Sequence, residues 1–139
     1  MKNLFFAVFL VTSTQAIGQS LEFTILRLED YSDYTHYCQI HYQAVNNTNY
    51  TISALQFTVR FYDSNGSANG SGTIAAMELP PSKIYTDQVS IPYIPCKNIK
   101  TGKAFPLVLC KRSPQYTISK DDCRDLVTFS NKGVVKVDY

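Results

Sequence analysis

His36-Tyr37-Cys38-Gln39-Ile40-His41 brings both histidines of the chain and one of its four cysteines into one short segment. Imidazole and thiolate both ligate zinc or copper, so the cluster first suggests a metal site. On a strand, however, successive side chains alternate. His36 and Cys38 then share one face and His41 takes the other. Two ligands on one side do not complete a site, and a disulfide at Cys38 would remove the thiolate. Asp121, Asp122 and Asp125 offer a second oxygen-rich cluster suited to calcium. Their spacing is not that of an EF-hand loop, and Lys120 and Arg124 interleave, as in a solvated segment. No metal and no other cofactor is expected.

Nucleophilic catalysis needs an activated Ser, Cys or Thr beside a base. The sequence has no Gly-x-Ser-x-Gly elbow, no Ser-x-x-Lys and no glycine loop followed by lysine to cradle a phosphate. Paired carboxylates for glycoside chemistry are not singled out by any spacing. No catalytic residue is assigned, and a non-catalytic role is expected.

Basic residues offer a different chemistry. Lys97, Lys100, Lys103, Lys111 and Arg112 fall within residues 96–112, which contain no acid. Residues 19–94 carry three bases and seven acids; residues 95–139 carry nine bases and four acids. Such a stretch suits an anionic polymer: lipopolysaccharide, teichoic acid, a heparin-like glycan or a phospholipid head group. A solvated loop that raises solubility suits it better. The net charge of +2 over 139 residues gives little support to nucleic-acid binding. Ten tyrosines are present, with Tyr31, Tyr34 and Tyr37 at spacing three. Tyrosine serves recognition surfaces and also caps strand faces.

Export sets the frame for these groups. Lys2 precedes an apolar run, residues 4–11, and then small polar residues with Thr14-Gln15-Ala16 or Ala16-Ile17-Gly18 as a cleavage site. That is the order of a secretory signal peptide, residues 1–18, ahead of a single domain, residues 19–139. The run is too short to span a bilayer, which takes ~20 apolar residues. A secreted or periplasmic location follows, and with it an oxidising compartment for the four cysteines, Cys38, Cys96, Cys110 and Cys123. Three pairings are possible. Cys110–Cys123 would close the polar segment between them and leave Cys38–Cys96; Cys38–Cys110 with Cys96–Cys123 is the alternative.

The elements that position these residues alternate with period two. Cys38, Ile40, Tyr42 and Ala44 oppose Gln39, His41 and Gln43; Leu55, Phe57, Val59 and Phe61 oppose Gln56, Thr58 and Arg60. Asn46-Asn47-Thr48-Asn49, Asp63-Ser64-Asn65-Gly66, Gly70-Ser71-Gly72 and Pro80-Pro81-Ser82-Lys83 supply turns. Further strands are expected at 22–29, 73–79, 84–91, 104–111, 124–130 and 134–139. Helical periodicity is missing. Seven or eight short strands at this spacing predict an all-β, immunoglobulin-like antiparallel sandwich stapled by disulfides, with a small closed barrel as the competing architecture. Four Asn-x-Ser/Thr sequons, at Asn46, Asn49, Asn65 and Asn69, are glycan acceptors in a eukaryotic secretory pathway and ordinary turn chemistry in a bacterium.

Residues 45–66, VNNTNYTISALQFTVRFYDSNG, resemble the bacterial extracytoplasmic immunoglobulin-like modules of the FxLYD family. Phe61-Tyr62-Asp63 matches the aromatic-Tyr-Asp part of that motif, and Val59 replaces its leading Phe. Leu79-Pro80-Pro81-Ser82-Lys83 resembles the Leu-x-Pro-Gly turn that follows, without its Gly. The resemblance, over residues 45–83, implies a non-catalytic envelope module and transfers no catalytic residue. The expectation is a binding or structural module of the cell envelope whose partner is a protein or an anionic envelope polymer. A small secreted enzyme, or a protease inhibitor presenting residues 111–122 as a disulfide-framed loop, is the rival.

Overall fold

The computed structural model describes residues 19–32, 36–105, 109–114 and 116–139. The expected signal segment, 1–18, and Tyr34 lie outside the described residues.

The two clearest alternations become the two central strands. In β2 (Tyr37–Asn46) every second side chain from Cys38 to Asn46 is buried, and in β3 (Ile52–Tyr62) Leu55, Phe57, Val59 and Phe61 are buried. The strands belong to different sheets, so their apolar faces meet. One sheet has the order β5-β2-β1-β9, built from β1 (Leu21–Tyr31), β2, β5 (Ile84–Pro92) and β9 (Val127–Phe129). In the other, β4 (Ala68–Leu79) lies antiparallel along one side of β3. Along its other side run β6 (Thr101–Ala104), opposite Val59 to Tyr62, and β7 (Leu109–Arg112), opposite Ile52 to Gln56. Outside these lie β10 (Lys136–Asp138), beside β6, and β8 (Tyr116–Thr117), beside β7. A 3₁₀ turn (Cys96–Asn98) and a short helix, α1 (Lys120–Leu126), complete the chain. The strand order is that of an immunoglobulin-like sandwich. Phe23 meets Phe57 edge-on at 5.0 Å and Phe57 meets Phe129 at 5.7 Å in the gap between sheets. Each such ring is worth about 1.5–3 kcal/mol through burial.

Four local expectations change. The strand expected at 104–111 is two strands, β6 and β7, laid end to end on β3. The strand expected at 124–130 begins only at Val127, because Ser119 caps α1. Its hydroxyl accepts the Asp122 N–H at 3.1 Å and donates to the Asp122 carboxylate at 2.7 Å. Ser-x-x-Asp is the capping signature the alternation had hidden. The turn expected at 70–72 lies within β4. A Cβ on Gly70 or Gly72 would come within 2.7 Å of Ile91 or Ile94 side-chain carbons, so glycine there makes room for β5 side chains. Finally, two pairings are parallel, β1 with β9 and β10 with β6. The segment after α1 runs up β1, with Ser130 N–H donating to Phe23 C=O and Val134 N–H to Ile25 C=O, then crosses to the other sheet. Gly133 permits the approach: its Cβ would stand 2.9 Å from the Ile25 oxygen.

The opposite side of the sandwich is left with two strand edges, β5 and β4, and buried backbone there needs partners. β2 supplies them. The Tyr42 hydroxyl donates to Ala75 C=O at 2.9 Å and accepts Ala75 N–H at 3.1 Å, on the side of β4 away from β3. Asn46, 0% exposed, donates from Nδ2 to Leu79 C=O and Tyr50 C=O. Its Oδ1 accepts the Thr48 N–H at 2.9 Å, with the Thr48 hydroxyl 2.6 Å away. Its main chain bonds Lys83 C=O and Ser82 N–H. One residue thus holds two turns and the end of β4.

Asn46→Ala strands the Leu79 carbonyl and the Thr48 N–H in the interior and is expected to cost about 3 kcal/mol in urea denaturation. Burial pushes the Tyr42 phenol up from 10.0 to about 12, against the opposing pull of its bond to Ala75. A raised pKa stabilises the fold fully below pH 10, and that contribution is lost as pH rises towards 12. Unfolding followed by circular dichroism should therefore show about 2–3 kcal/mol of alkaline destabilisation attributable to Tyr42. Tyr42→Phe should remove that part of the pH dependence while lowering stability at neutral pH.

Candidate functional site

The five basic residues of the 97–112 stretch are all exposed, but the fold spreads them out. Lys97 lies in the 3₁₀ turn, and the Lys100 N–H bonds Tyr62 C=O at one end of β3. Lys103 is opposite Arg60; Lys111 is opposite Ala54, six residues away along β3, or ~20 Å. Arg112 stands between two rings, 5.1 Å from the Tyr50 centroid and 5.4 Å from that of Tyr116. Its guanidinium braces β7 against β8.

Lys103 instead joins residues from elsewhere in the chain. Phe105 follows it and lies beneath the Arg60 guanidinium, 4.8 Å from the ring centroid. α1 turns Cys123 and Leu126 into the interior. Lys120 and Arg124, one helical turn apart, therefore share an outward face. Arg124 stands 5.5 Å over the Tyr139 ring, which meets Phe129 edge-on at 5.3 Å. The result is a half-open cleft of about 600 Å³, lined by Lys103, Ala104, Phe105, Lys120, Asp121, Arg124 and Tyr139. Three cations face one carboxylate across two aromatic rings. The Tyr139 hydroxyl donates to Val127 C=O at 3.3 Å. Burial raises its pKa to about 12, although Arg124 pulls the other way, so it stays a neutral phenol at physiological pH.

Among the sequence candidates, Lys103 and Asp121 enter this cleft. Arg60, Phe105, Lys120, Arg124 and Tyr139 were not singled out. The Ser119–Asp122 cap was the available signal: it predicts a helix, and a helix aligns Lys120 with Arg124.

The cysteines pair as Cys38–Cys96 and Cys110–Cys123. Cys38 is therefore no metal ligand. His41 stands 3.2 Å from Glu29 Oε2, which also meets Arg27 at 3.4 Å. Among the described residues no group of three or more His, Cys, Asp or Glu side chains is placed to hold a metal ion. Within residues 111–122, β8 pairs with β7 and α1 begins at Lys120. The Phe61-Tyr62-Asp63 motif has folding roles, with Phe61 in the core and Asp63 Oδ1 accepting the Asn65 and Ser67 N–H groups. Of the four sequons, Asn46 is buried and saturated, while Asn49 and Asn65 are exposed.

No protein-family model matches the chain, and no curated protein matches it. Among solved structures, IrmA from Escherichia coli is similar in fold, with a TM-score of 0.54 at 7% identity, over 81% of this chain and 92% of that one. At that identity the likeness speaks for the architecture alone.

The cleft depends on the Cys110–Cys123 bridge, which ties α1 to β7 across a separation of 13 residues; Cys38–Cys96 spans 58. Loop-closure entropy assigns them about 3 and 4 kcal/mol respectively. C110A/C123A should lose about 3 kcal/mol and speed amide exchange in residues 120–126 while leaving β2 and β5 protected. C38A/C96A should lose about 4 kcal/mol, with faster exchange in β2 and β5.

Proposed function

We propose that this chain is an exported, non-catalytic binding module of the cell envelope, periplasmic or secreted, that captures an anionic ligand in the Lys103–Lys120–Arg124 cleft. The observation that carries this is the convergence of three cations and two aromatic rings from β6, α1 and the last residue on one half-open cavity. Cations supply attraction to sulfate, phosphate or carboxylate groups, and the rings of Phe105 and Tyr139 offer apolar contact to the body that bears them. The two disulfides favour an oxidising compartment, and no helix among the described residues is long and apolar enough to cross a membrane. An anionic envelope polymer presents many such charges, so weak single contacts add along it. Because the cations are exposed, binding should weaken steeply with salt as the Debye length falls below about 10 Å.

Retention on heparin resin and titration with dextran sulfate test the assignment. K120Q/R124Q should bind about ten-fold more weakly than the parent and elute at lower salt. K97Q/K100Q, which do not line the cleft, should lose less than K120Q/R124Q. Equal losses in both variants would assign the affinity to diffuse charge, and an unretained parent protein would remove the proposal.

A further inference from the structure

Of the two strand edges on the side where Tyr42 and Asn46 reach β4, that of β5 stays open. β5 pairs with β2 from Ile84 to Pro92 without a register shift, and no strand among the described residues lies on its other side. The ladder is bracketed by the Asn46 N–H on Lys83 C=O at 3.1 Å and the Tyr93 N–H on His36 C=O at 2.7 Å. In an antiparallel pair, residues that exchange such bonds alternate with residues whose groups point away. Tyr85, Asp87, Val89 and Ile91 therefore bond β2, and Ile84, Thr86, Gln88 and Ser90 turn N–H and C=O outward. All four of these residues are exposed. Tyr93, with φ +63° and 78% exposed, ends the strand beyond Pro92.

Exposed edges are ordinarily blunted by lysine, proline or a bulge. β5 has no lysine and no bulge, and its proline stands at the last position. Asp87 supplies a guard of a different kind: its Oδ1 accepts the Gln88 N–H at 2.8 Å.

We propose that a second copy of this chain pairs with this edge, β5 against β5, antiparallel about a two-fold axis through Gln88. Outward groups must oppose outward groups, and this axis uses the whole strand. Ile84 faces Pro92 of the copy, Thr86 faces its Ser90, and Gln88 faces its Gln88. The same patch serves both copies, so the assembly closes as a dimer.

The neighbours across the seam select a second copy. On the outer face, Glu29, Gln39 and Ser90 continue into Thr86, Gln43 and Thr24 of the copy; Arg27, His41 and Gln88 continue into its Gln88, His41 and Arg27. Arg27 and Glu29 stand on β1, two strands or ~10 Å from the seam, so no like charges oppose each other directly. Ile84, 61% exposed, gains an apolar neighbour in Pro92 of the copy. That proline shares a row with Tyr37 and Tyr31, whose rings are stacked at 5.2 Å. A partner of another kind must bring an unpaired extended segment, whereas a second copy holds one of equal length already ordered. On the other face Asp87 lies opposite Val89 of the copy and diagonal to its Asp87, ~7–8 Å away. Together with its hold on the Gln88 N–H, this keeps the association weak and reversible.

Sedimentation equilibrium on the intact, oxidised protein tests the pairing. An edge contact is smaller than a standard interface, so dimers should form in the micromolar range, about 10–500 µM. Thr86→Pro removes an outward N–H while sparing every bond to β2, and should weaken dimerisation about ten-fold or more with an unchanged circular dichroism spectrum. Asp87→Ala frees the Gln88 N–H and removes the diagonal charge pair, and should tighten it about ten-fold. In concentrated protein the amides of Thr86 and Ser90 should exchange with deuterium more slowly than in dilute protein, while those of Val89 and Ile91, already bonded to β2, should not respond. K120Q/R124Q should leave the dimer unchanged, so that failure here is separate from failure at the cationic cleft. A monomer throughout the concentration range would overturn the proposal, as would a dimer indifferent to both Thr86→Pro and Asp87→Ala.

Discussion

Backbone hydrogen bonding at the β4 edge is the constraint on which the rest of the molecule depends. A two-sheet sandwich leaves strand edges, and polar groups there are tolerated only with partners or water. Here β2, a strand of the opposite sheet, sends Tyr42 to Ala75 and Asn46 to Leu79. These bonds do what apolar contact between the sheets cannot, because they fix the register of β4 against β2 along the strand direction. A slip by one residue would turn the Tyr42 hydroxyl onto a backbone position already used by β3. Asn46 adds the two turns at the same end. The apolar core supplies the driving force, and these polar groups specify the arrangement.

The other side of the sandwich is closed differently. The last segment pairs with β1 and then with β6, so it belongs to both sheets in turn. That crossing brings Tyr139 to the margin of β6 and α1, with Phe129 beneath it. The cationic cleft is thus a by-product of closure. It forms where the chain, after one helix anchored by Cys123, passes from one sheet to the other. Its parts come from residues 103–139, and the Cys110–Cys123 bridge holds the helix in place.

Much of the fold was legible because burial and alternation coincide. In β2 and β3 each inward residue from Cys38 to Ala44 and from Leu55 to Phe61 is apolar, so period two identifies strand and face together. The same rule extended one step further puts Asn46 on the inward face. Its type suggested a turn and a sequon, and only the neighbouring carbonyls of Tyr50 and Leu79 explain why an amide belongs there. Gly70 and Gly72 misled for a related reason: glycine marks turns, but here it marks space taken by Val89, Ile91 and Ile94. The cleft was hidden because sequence proximity grouped Lys103 with Lys97 and Lys111, whereas an extended chain carries neighbours apart at ~3.3 Å per residue. Lys120 and Arg124 come beside Lys103 only through a helix announced by four residues, Ser119 to Asp122.

The uneven charge along the chain acquires a spatial meaning from this topology. Glu22, Glu29, Asp30 and Asp87, from the acidic half of the sequence, lie on β1 and β5 of one sheet. Lys103, Lys120, Arg124 and Lys136, from the basic half, lie on β6, α1 and β10 at the other, interleaved with Asp121, Asp122, Asp125 and Asp138. One sheet is therefore acidic while the other side carries both signs, and local groupings rather than totals determine what approaches them. The cationic cleft owes its shape to α1. The acidic sheet repels anions and presents stacked tyrosines among amides and hydroxyls. Because β2 and β4 are locked across the core, neither face needs to contribute to holding the sheets together. Each is free to carry residues, such as Tyr93 on its strained backbone, that stability alone would not select.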